Sequence, residues 1–537
     1  MNSDYDLDKP IEAKVGLRQG LTSYGDAHFS LFLRKVFIKA LGYSEKSLEK
    51  PIIGIVNTFS GFNPCHANVP QLIEAVKRGV HLNGGLAVEF PTISIHESFS
   101  SPTSMYLRNL TRCDKTTVAQ LMGGLSANKP ILHLVTGPMM TGKFKGVRIG
   151  ACTDCRNNWA KFRVGEIDIE DISAINEDLA PTGGTCGVMG TASTMACVLV
   201  GLVLMPFAGA TAAAVSSARL RVAEKTGGNA VKLCQQSESL RPQTLLTREA
   251  FLNAITVLQA IGGSTNVVVH LMAIIGRHPS VSGTITLETF NEIGSKTPLL
   301  VDLKPSGSNY MTDFHDPGGM LSLLHKLKPL LHLDALTTTG LTLGQELAKA
   351  APMSLPQELS CIQPFDKPLY AKSSLVVLKG NLALGGAVNK ASASKRRELL
   401  NHIGHAVIFK NSIDLTERID DPDLDVNPDD ILVLQNIGPV GNPGMPEAGI
   451  IPIPRKLSTK GVSDMIRISD GRMSGTAGGT IVLHVSPEAA NPSSVLGIVQ
   501  SGDTISLDVE ARTLNVDITE EEILRRQEDR KEAMTKE

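Results

Sequence analysis

Three of the eight cysteines lie in segments rich in glycine, asparagine, proline and threonine rather than in apolar periodic runs. They are Cys65 in Asn-Pro-Cys, Cys113 in Cys-Asp-Lys-Thr-Thr and Cys186 in Gly-Thr-Cys-Gly. Loops of this composition expose backbone N–H groups, which stabilise a thiolate and hydrogen-bond to the sulfurs of an inorganic cluster. Cys186 is expected just ahead of a buried helix, whose dipole favours a thiolate. Taken singly, each of the three also fits an ordinary buried thiol.

The remaining cysteines give a weaker signal. Cys152 and Cys155 form a C-x-x-C pair with no second pair in the chain, and we interpret them as structural rather than metal-binding. Cys197, Cys234 and Cys361 have no ligand-like neighbours. Eight cysteines in 537 residues are too few for a dense disulfide framework.

Several carboxylates lie where a hard cation could use their oxygens. Asp114, with Lys115 beside it, follows Cys113 directly, Glu97 follows a strand-like run, and Glu447 ends Asn-Pro-Gly-Met-Pro-Glu. Oxygen ligands of this kind suit Mg²⁺. Each of them fits a solvated surface charge as well.

A serine lies in a glycine loop immediately before a strand-like run. The segment 469–479 reads Ser-Asp-Gly-Arg-Met-Ser-Gly-Thr-Ala-Gly-Gly and contains Ser474 and Thr476. Such a loop brings backbone and hydroxyl groups close to a ligand. A lone serine in a glycine loop is usually a turn residue.

The elements that position these residues fall into two groups. Residues 51–350 alternate apolar runs with amphipathic segments, as in strands near 51–56, 86–90 and 130–135 with a helix near 70–83. This alternation predicts an α/β fold with a mostly parallel sheet and helices on both faces.

A proline-rich segment near 353–369 is typical of a linker. Beyond it the chain consists of strand-like runs and turns, which predicts a β-rich, barrel-like domain. The runs begin at Ser374, Ala406, Ile431, Met465, Thr480 and Thr504. We therefore divide the chain into domains at 1–365 and 366–537, with Thr519 and Glu522 opening a charged C-terminal helix through a capping box.

Composition excludes several classes of function. Lys and Arg number 52 against 54 Asp and Glu, so no charge excess suits a nucleic acid. Residues 179–218 carry no charge, but glycine, serine, threonine and proline interrupt them, so we expect a glycine loop and a buried helix rather than a membrane span. The acidic start of the chain resembles no targeting peptide, which favours the cytoplasm.

Six motifs in order resemble the dihydroxy-acid and sugar-acid (aldonate) dehydratase family, over residues of about 17 to 525. The motifs are Asn-Pro-Cys65, Cys113-Asp-Lys-Thr-Thr, Gly-Thr-Cys186, Ala260-Ile-Gly-Gly-Ser-Thr-Asn, Pro-Gly-Met-Pro-Glu447 and Arg-Met-Ser474-Gly-Thr. Their joint occurrence argues against the simple structural interpretations given above.

The resemblance implies a hydro-lyase that removes water from a 2,3-dihydroxy carboxylic acid and leaves a 2-keto-3-deoxy acid. By motif match, Cys65, Cys113 and Cys186 would hold an iron–sulfur cluster, of the 2Fe–2S rather than the 4Fe–4S type, with one iron open. The family also implies a homodimer or homotetramer acting on a small-molecule acid, without nucleic acid or membrane.

The same match assigns the remaining roles. Ser474 would be the general base and Thr476 a hydroxyl that orients the base or the substrate. The Mg²⁺ ligands would be Glu97, Asp114, Glu447 and Lys115, the last as a carbamate. A serine needs nearby cationic centres to act as a base at neutral pH. Since these residues come from both predicted domains, we expect the site in the cleft between them.

Two branches of the family compete. Met473 near the serine, and Val188-Met189 after Cys186, are more similar to the sugar-acid branch than to the dihydroxy-acid dehydratases of branched-chain amino-acid synthesis. A phosphorylated sugar acid ranks third, because no Arg/Lys-rich glycine loop suits a phosphate.

The spacing between Leu110 and Cys113 departs from the family pattern. Only Thr111 and Arg112 intervene, where relatives carry about twenty residues, enough for a crossover and a strand. We expect a central strand to be missing, through a deletion, a splice variant or a gene-model error. This departure leaves a third alternative, a catalytically inactive relative with a binding or regulatory role.

Overall fold

The structure is a computed structural model and describes residues 7–11, 15–22, 24–96, 113–236, 238–353, 355–442, 447 and 449–536. The side chains of Cys113 and Asp114 lie outside this description, as does Glu97 entirely. The same holds for the Leu110 side of the predicted gap.

A strand–helix–strand unit opens the first part of the chain. Strand β1 (Ile52–Asn57) pairs in parallel with β2 (Leu86–Pro91), and helix α2 (Val69–Leu82) connects them. The apolar residues of α2 recur on one face, so that face is buried and the opposite face stays polar. These are the parallel sheet and crossover helix that the alternation predicted.

Most of this part is helical. The α-helices are α1 (Ala27–Ala40), α2, α3 (Cys113–Ala127), α4 (Thr153–Arg163), α5 (Ile169–Asp178), α6 (Thr191–Gly201), α7 (Ser217–Gln235), α8 (Pro242–Leu245), α9 (Arg248–Ala260), α10 (Asn266–Ile275), α11 (Leu287–Gly294), α12 (Met311–His315), α13 (Gly319–Leu327) and α14 (Leu343–Lys349). A short hairpin of β3 (Gly142–Phe144) and β4 (Val147–Ile149) precedes α4. Helix α6 is buried at every position except Ala192 and forms the centre of the largest apolar core.

Two glycines let α2 and α7 pack closely. A Cβ added at Gly79 of α2 would overlap the carbonyl oxygen of Glu224, and one added at Gly227 of α7 would overlap that of Val76. Each glycine therefore faces the backbone of the other helix. This contact fixes α7 against the crossover helix behind the two-stranded sheet.

The strand predicted at 130–135 is wrong. Residues 130–135 form no strand. The isolated bridge that follows them joins Pro138 to Thr185. Its backbone groups have other partners: the His133 N–H donates to Leu204 at 3.0 Å, and Arg219 donates to the Val135 carbonyl at 3.1 Å. These two groups are therefore satisfied by a loop carbonyl and a side chain rather than by a neighbouring strand.

The second part is a closed eight-stranded barrel, which confirms the predicted fold class. Its strands are β5 (Val376–Gly380), β6 (Ala383–Asn389), β7 (Asn401–Phe409), β8 (Ile431–Leu434), β9 (Arg467–Ser469), β10 (Ile481–Ser486), β11 (Thr504–Asp508) and β12 (Thr513–Val516). The order around the barrel is β10-β6-β5-β12-β11-β7-β8-β9. Inward-facing valine, leucine, isoleucine and alanine side chains fill its interior.

Strands β7, β8, β9 and β10 run parallel to one another, so their carboxyl ends meet at one end of the barrel. Leu434, the last residue of β8, is paired with Ser469, the last residue of β9. The loops that carry Glu447 and Ser474 therefore leave the barrel side by side. Ligands of open parallel sheets also bind at carboxyl ends of strands.

The remaining helices lie around the barrel. They are α15 (Ser412–Arg418), α16 (Arg455–Ser458) and α17 (Glu520–Lys536). Thr519 accepts a hydrogen bond from the Glu522 N–H at 3.2 Å, as the predicted cap requires, while the Glu522 carboxylate accepts from Arg525 and Arg526. Within the described ranges, no helix combines the length and the apolar composition needed to cross a membrane.

Candidate active site

A cavity of about 1260 Å³ lies between the helical part and the barrel. Its wall carries Cys65 and Cys186 from the first part and Glu447, Ser474 and Thr476 from the second. These five residues were predicted from separate motifs and lie up to 411 positions apart in the sequence. In the structure they line the same cavity. This is the cleft position that the sequence predicted.

Cys65 follows the carboxyl end of β1 on a short 3-10 turn, Pro64–His66, and is buried. The Gly184 N–H donates to the Pro64 carbonyl at 3.0 Å. Gly184 has φ of +131°, and a Cβ there would lie 2.8 Å from the Ala214 Cβ, so only glycine fits. The turn of Cys65 and the loop of Cys186 are thus held against each other.

Cys186 lies five residues before α6 and contacts a thiol that the sequence left outside the site. The Cys152 Sγ is 3.2 Å from the Cys186 Sγ, and the Gly187 N–H donates to the Ala151 carbonyl at 3.1 Å. Cys152 and Cys155 also face the cavity. Cys152 is therefore part of the candidate site, and Cys155 lies beside it without contacting Cys186.

The pKa of the Cys152 thiol is raised well above its ordinary value. The nearby Cys155 lowers it, but the Cys186 sulfur, burial and the negative charge of Glu447 together outweigh that effect. Glu447 thus lies close enough to act on the thiols electrostatically. The Cys155 pKa is raised as well, first by Cys152 and then by burial.

The loop of Ser474 is held by side chains from distant parts of the chain. Three of them donate to its carbonyl oxygens: Asn266 to Met473 at 3.1 Å, Lys390 to Gly475 at 3.3 Å, and Thr153 to Thr476 at 2.9 Å. Thr153 belongs to α4, next to Cys152, so one helix end contacts both the thiols and the serine loop. Lys390 and Thr153 were not identified from the sequence, where nothing local marks a contact across 85 or 323 positions.

Gly190 lies where the thiol loop and the serine loop meet. A Cβ placed on Gly190 would lie 2.9 Å from Thr476 Cγ2, 3.8 Å from Cys186 Cβ and 3.9 Å from Ser474 Oγ. Cys186, Ser474 and Thr476 therefore all come within 4 Å of the space that a side chain at position 190 would occupy. The Thr476 N–H points toward Ser474 Oγ at 3.5 Å, while Thr476 Oγ1 is buried and has no hydrogen-bond partner in the part of the chain that the structure describes.

Glu447 is half-buried and pairs with the buried Arg472, whose Nη1 is 3.3 Å from Glu447 Oε1. Lys115 does not line the large cavity. It lines a neighbouring one of about 240 Å³ with Arg472, His270 and His484. Burial, together with the His270 and Arg472 charges, lowers the pKa of His484 to about 3, so His484 is neutral at pH 7.

The donor set fits the groups that the resemblance implies. Thiols on one cavity wall are the soft ligands that iron–sulfur clusters use, and the half-buried Glu447 is an oxygen donor of the kind Mg²⁺ takes. The structure does not test the contributions of Cys113, Asp114 and Glu97, whose side chains lie outside its description. Among the described residues alone, no three Cys, His, Asp or Glu side chains lie close enough together to hold a metal ion.

The α/β part and the barrel enclose a cleft whose wall carries thiols, a carboxylate and a serine loop. This arrangement is typical of an enzyme whose active site lies between two parts of the chain. Two sequence profiles of the dihydroxy-acid/6-phosphogluconate dehydratase family match the chain, the N-terminal one at 50–110 and 105–346 and the C-terminal one at 360–537. The chain belongs to this family. The N-terminal match is split at the position where the motif spacing is short.

Named relatives of the chain are dehydratases of sugar acids and of dihydroxy acids. L-arabonate dehydratase of Azospirillum brasilense is 41% identical over 93% of this chain and 88% of its own. The 6-deoxy-6-sulfo-D-gluconate dehydratase of Pseudomonas putida is 39% identical over 90% and 85%. Dihydroxy-acid dehydratase of Caldicellulosiruptor bescii is 33% identical over 92% of each chain.

Proposed function

We propose that this chain dehydrates a sugar acid with 2- and 3-hydroxyl groups to a 2-keto-3-deoxy acid, using a bound iron–sulfur cluster and Mg²⁺. The observation that carries the proposal is the meeting of Cys186, Ser474 and Thr476 around Gly190, with Glu447 on the same cavity wall. A hydroxyl in this position can take a proton from one carbon while the neighbouring carbon loses its hydroxyl.

Ser474 is the residue that would hold the proton removed from C2. Such a proton is weakly acidic, and Mg²⁺ and the cluster, when bound, supply the Lewis acidity that its removal and the loss of the 3-hydroxyl require. The bonds from Asn266, Lys390 and Thr153 fix the serine loop, so its hydroxyl is positioned in advance. Arg472 orients the Glu447 carboxylate.

Two arguments favour the sugar-acid branch over branched-chain dihydroxy acids. The sugar-acid dehydratases above are 39–41% identical to the chain, against 33% for the dihydroxy-acid dehydratase. The cavity wall also offers Lys395 as a donor to a polyhydroxylated substrate. Of the residues behind the sequence argument, Met473 lines the cavity, whereas Val188 and Met189 are fully buried and act only through packing.

Turnover on a panel of acids tests the proposal. Purified anaerobically with iron, sulfide and Mg²⁺, the chain should convert D-gluconate or L-arabonate at a kcat/KM at least about tenfold above that for 2,3-dihydroxyisovalerate, in line with the energy of a few pocket contacts. A preference for 2,3-dihydroxyisovalerate would move the chain to the other branch. Protein that binds iron but converts no acid would instead support the inactive relative.

Ser474→Ala separates the proposed base from the rest of the site. Loss of a general base typically costs about 10²–10⁴-fold in kcat, and we expect a loss in this range with visible absorption retained. Ser463→Ala is the matched control, since Ser463 also lines the cavity, and it should stay within about threefold of wild type. Equal rates for both variants would refute the role of Ser474.

A further inference from the structure

Cys152 lies at the candidate site, yet the proposed reaction gives it no role. Its Sγ is 3.2 Å from that of Cys186, and both thiols line the large cavity. We propose that Cys152 is an additional thiol ligand of the iron–sulfur cluster in the substrate-free enzyme. The inference rests on the proposed function, because it presupposes that a cluster binds at Cys186.

The separation of the two sulfurs suits a shared metal. The Sγ atoms of Cys152 and Cys186 form no disulfide bond, because 3.2 Å is well beyond the disulfide length of about 2.05 Å. Two thiolates on one tetrahedral metal, with bonds of about 2.3 Å, lie about 3.8 Å apart. A small change in side-chain rotation is enough to bring the pair to that distance.

The number of cysteine ligands that a cluster needs also supports Cys152 as a ligand. A 2Fe–2S or 4Fe–4S cluster held by protein alone uses four cysteines. The motif match supplies Cys65, Cys113 and Cys186 and leaves one position without a protein ligand. Among the described residues, Cys152 is the thiol in direct contact with one of those three.

The backbone around Cys152 is hydrogen-bonded to both the serine loop and the loop of Cys186. Its neighbour Thr153 donates to the Thr476 carbonyl at 2.9 Å, and the preceding Ala151 accepts from Gly187 at 3.1 Å. Asp154, one residue further, is buried and accepts from Lys304 at 2.8 Å. A residue this firmly fixed between the thiol loop and the serine loop is suited to a ligand, which must hold its position.

Cys155 provides a matched control within the same turn. Its Sγ donates to the carbonyl of Cys152 at 2.6 Å, so it is turned toward its own backbone rather than toward Cys186. The two cysteines share the helix end and the cavity wall and differ in their sulfur partner. Cys155→Ser should therefore report any general effect of altering this turn.

The experiment compares wild type, Cys152→Ser, Cys152→Ala and Cys155→Ser as anaerobic, cluster-loaded protein without substrate. The Cys152 variants should keep a cluster but show a shifted visible spectrum and altered electron paramagnetic resonance after reduction. They should also lose iron to a chelator about 10–100-fold faster, the usual effect of weakening a metal's surroundings. Cys155→Ser should match wild type within about twofold.

A labelling measurement on the wild-type chain covers the case in which the Cys152 variants fail to fold. Iodoacetamide labelling followed by mass spectrometry should find Cys152 protected with the cluster bound and labelled after iron removal, and Cys155 labelled equally in both states. Equal labelling of Cys152 would overturn the inference. So would spectra and iron loss unchanged in folded Cys152 variants, or a Cys152–Cys186 disulfide in the iron-loaded protein.

The outcomes keep the two proposals apart. Iron-loaded, active wild type with an unresponsive Cys152 would leave the proposed function intact and remove only this ligand. Wild type that binds no iron under reconstitution would refute the cluster itself, and with it both proposals.

Discussion

Thr476 presents a buried hydroxyl to the cavity with no hydrogen-bond partner among the described residues. An unsatisfied buried hydroxyl costs stability, so its retention is explained by a partner that binds in the cavity. Thr476→Val keeps the shape of the side chain and removes the hydroxyl. We expect unchanged or higher stability in urea unfolding, together with a fall in kcat of about tenfold or more.

Thr476→Ser is the control for this prediction, because it restores the hydroxyl and removes only a methyl group. Its kcat should return to within a few-fold of wild type. A Thr476→Val enzyme with normal kcat would show that the hydroxyl serves neither base nor substrate.

Lys390 is a buried cation behind the serine loop, and burial lowers its pKa to about 7. In the unfolded chain the lysine pKa is about 10.4, so between these values the unfolded state binds more protons. Stability attributable to Lys390 should therefore rise with pH from about 7 to 10, by up to about 1.4 kcal/mol per pH unit. Below pH 7 both states are charged and the cost of burial is fully present.

Lys390→Met removes this dependence, because methionine has no proton to exchange. Urea unfolding of both chains at pH 7, 8 and 9 should show the stability of wild type increasing relative to the variant at each step. All other titrating groups are the same in both chains, so their contributions cancel in the difference in unfolding free energy. A constant difference across this range would mean that Lys390 keeps its proton in the folded state.

Local motifs predicted residues that face the cavity, and they gave no signal for residues that contact the cavity loops from distant parts of the chain. Cys65, Cys186, Glu447, Ser474 and Thr476 were predicted for one site, and all five face one cavity. Lys390 belongs to no motif that marks chemistry, and Cys152 was assigned a structural role because its motif lacks a second pair. Only the fold shows that these two lie beside Gly475 and Cys186.

At the level of elements, the packing of α2 on α7 depends on small residues. A Cβ at Gly79 would overlap the Glu224 carbonyl, which can move only with its helix. Gly79→Ala should therefore destabilise the chain by about 1–3 kcal/mol, the usual cost of overpacking. Gly123→Ala in α3 meets nothing within 4 Å and should be neutral or stabilising by up to about 1 kcal/mol.

Thermal or urea unfolding of the two alanine variants beside wild type measures the difference directly. Because both changes replace a helical glycine with the same residue, helix propensity acts equally and only the contact differs. Equal midpoints would show that α2 and α7 can separate at no cost.

Strand prediction succeeded where a buried strand gives a long apolar run. It failed where the hydrogen-bond partners of the backbone determine whether a strand forms. Five of the six predicted runs of the barrel became β5, β7, β8, β10 and β11 over most of their length, and the sixth contributes the short β9. The glycine-rich β6 and the four-residue β12 carry too little apolar pattern to be recognised. The false prediction of a strand at 130–135 arose because an apolar run can be buried without pairing with another strand.

At the scale of the whole molecule, the site depends on how two parts of the chain meet. The parallel barrel strands β8 and β9 send their loops to one end, where the turns of Cys65 and Cys186 lie across the cavity. That the site lies between both parts was predictable, because its motifs fall in each. The relative orientation of the parts was not, since it depends on contacts such as that of Thr153 with Thr476.

The parallel sheet of the first part is unusually small for its position. Among the described residues it consists of β1 and β2, and the apolar side chains of Val56, Val88 and Phe90 are exposed. Parallel sheets are normally covered on both faces and contain more strands. The short spacing before Cys113 and the split family match both fall directly after this sheet.

A chain that lacks a central strand loses a row of ladder hydrogen bonds and exposes apolar surface, against a typical stability of about 5–15 kcal/mol. We therefore expect the chain as written to be less soluble, and to bind less iron and turn over more slowly, than the same chain with the strand restored. Inserting about twenty residues of helix and strand from a relative between Leu110 and Cys113 should restore solubility, iron content and dehydration together, because such a length supplies a crossover and a strand.

Soluble yield, iron per chain and turnover of D-gluconate, compared between the two chains, decide this prediction. A glycine- and serine-rich insertion of equal length is the control, since it relieves the spacing without adding a strand, and it should restore none of the three. If the chain as written is soluble, binds iron and turns over, the short connection is compatible with a working site. The two strands and their helices must then suffice to position Cys65 and the start of α3.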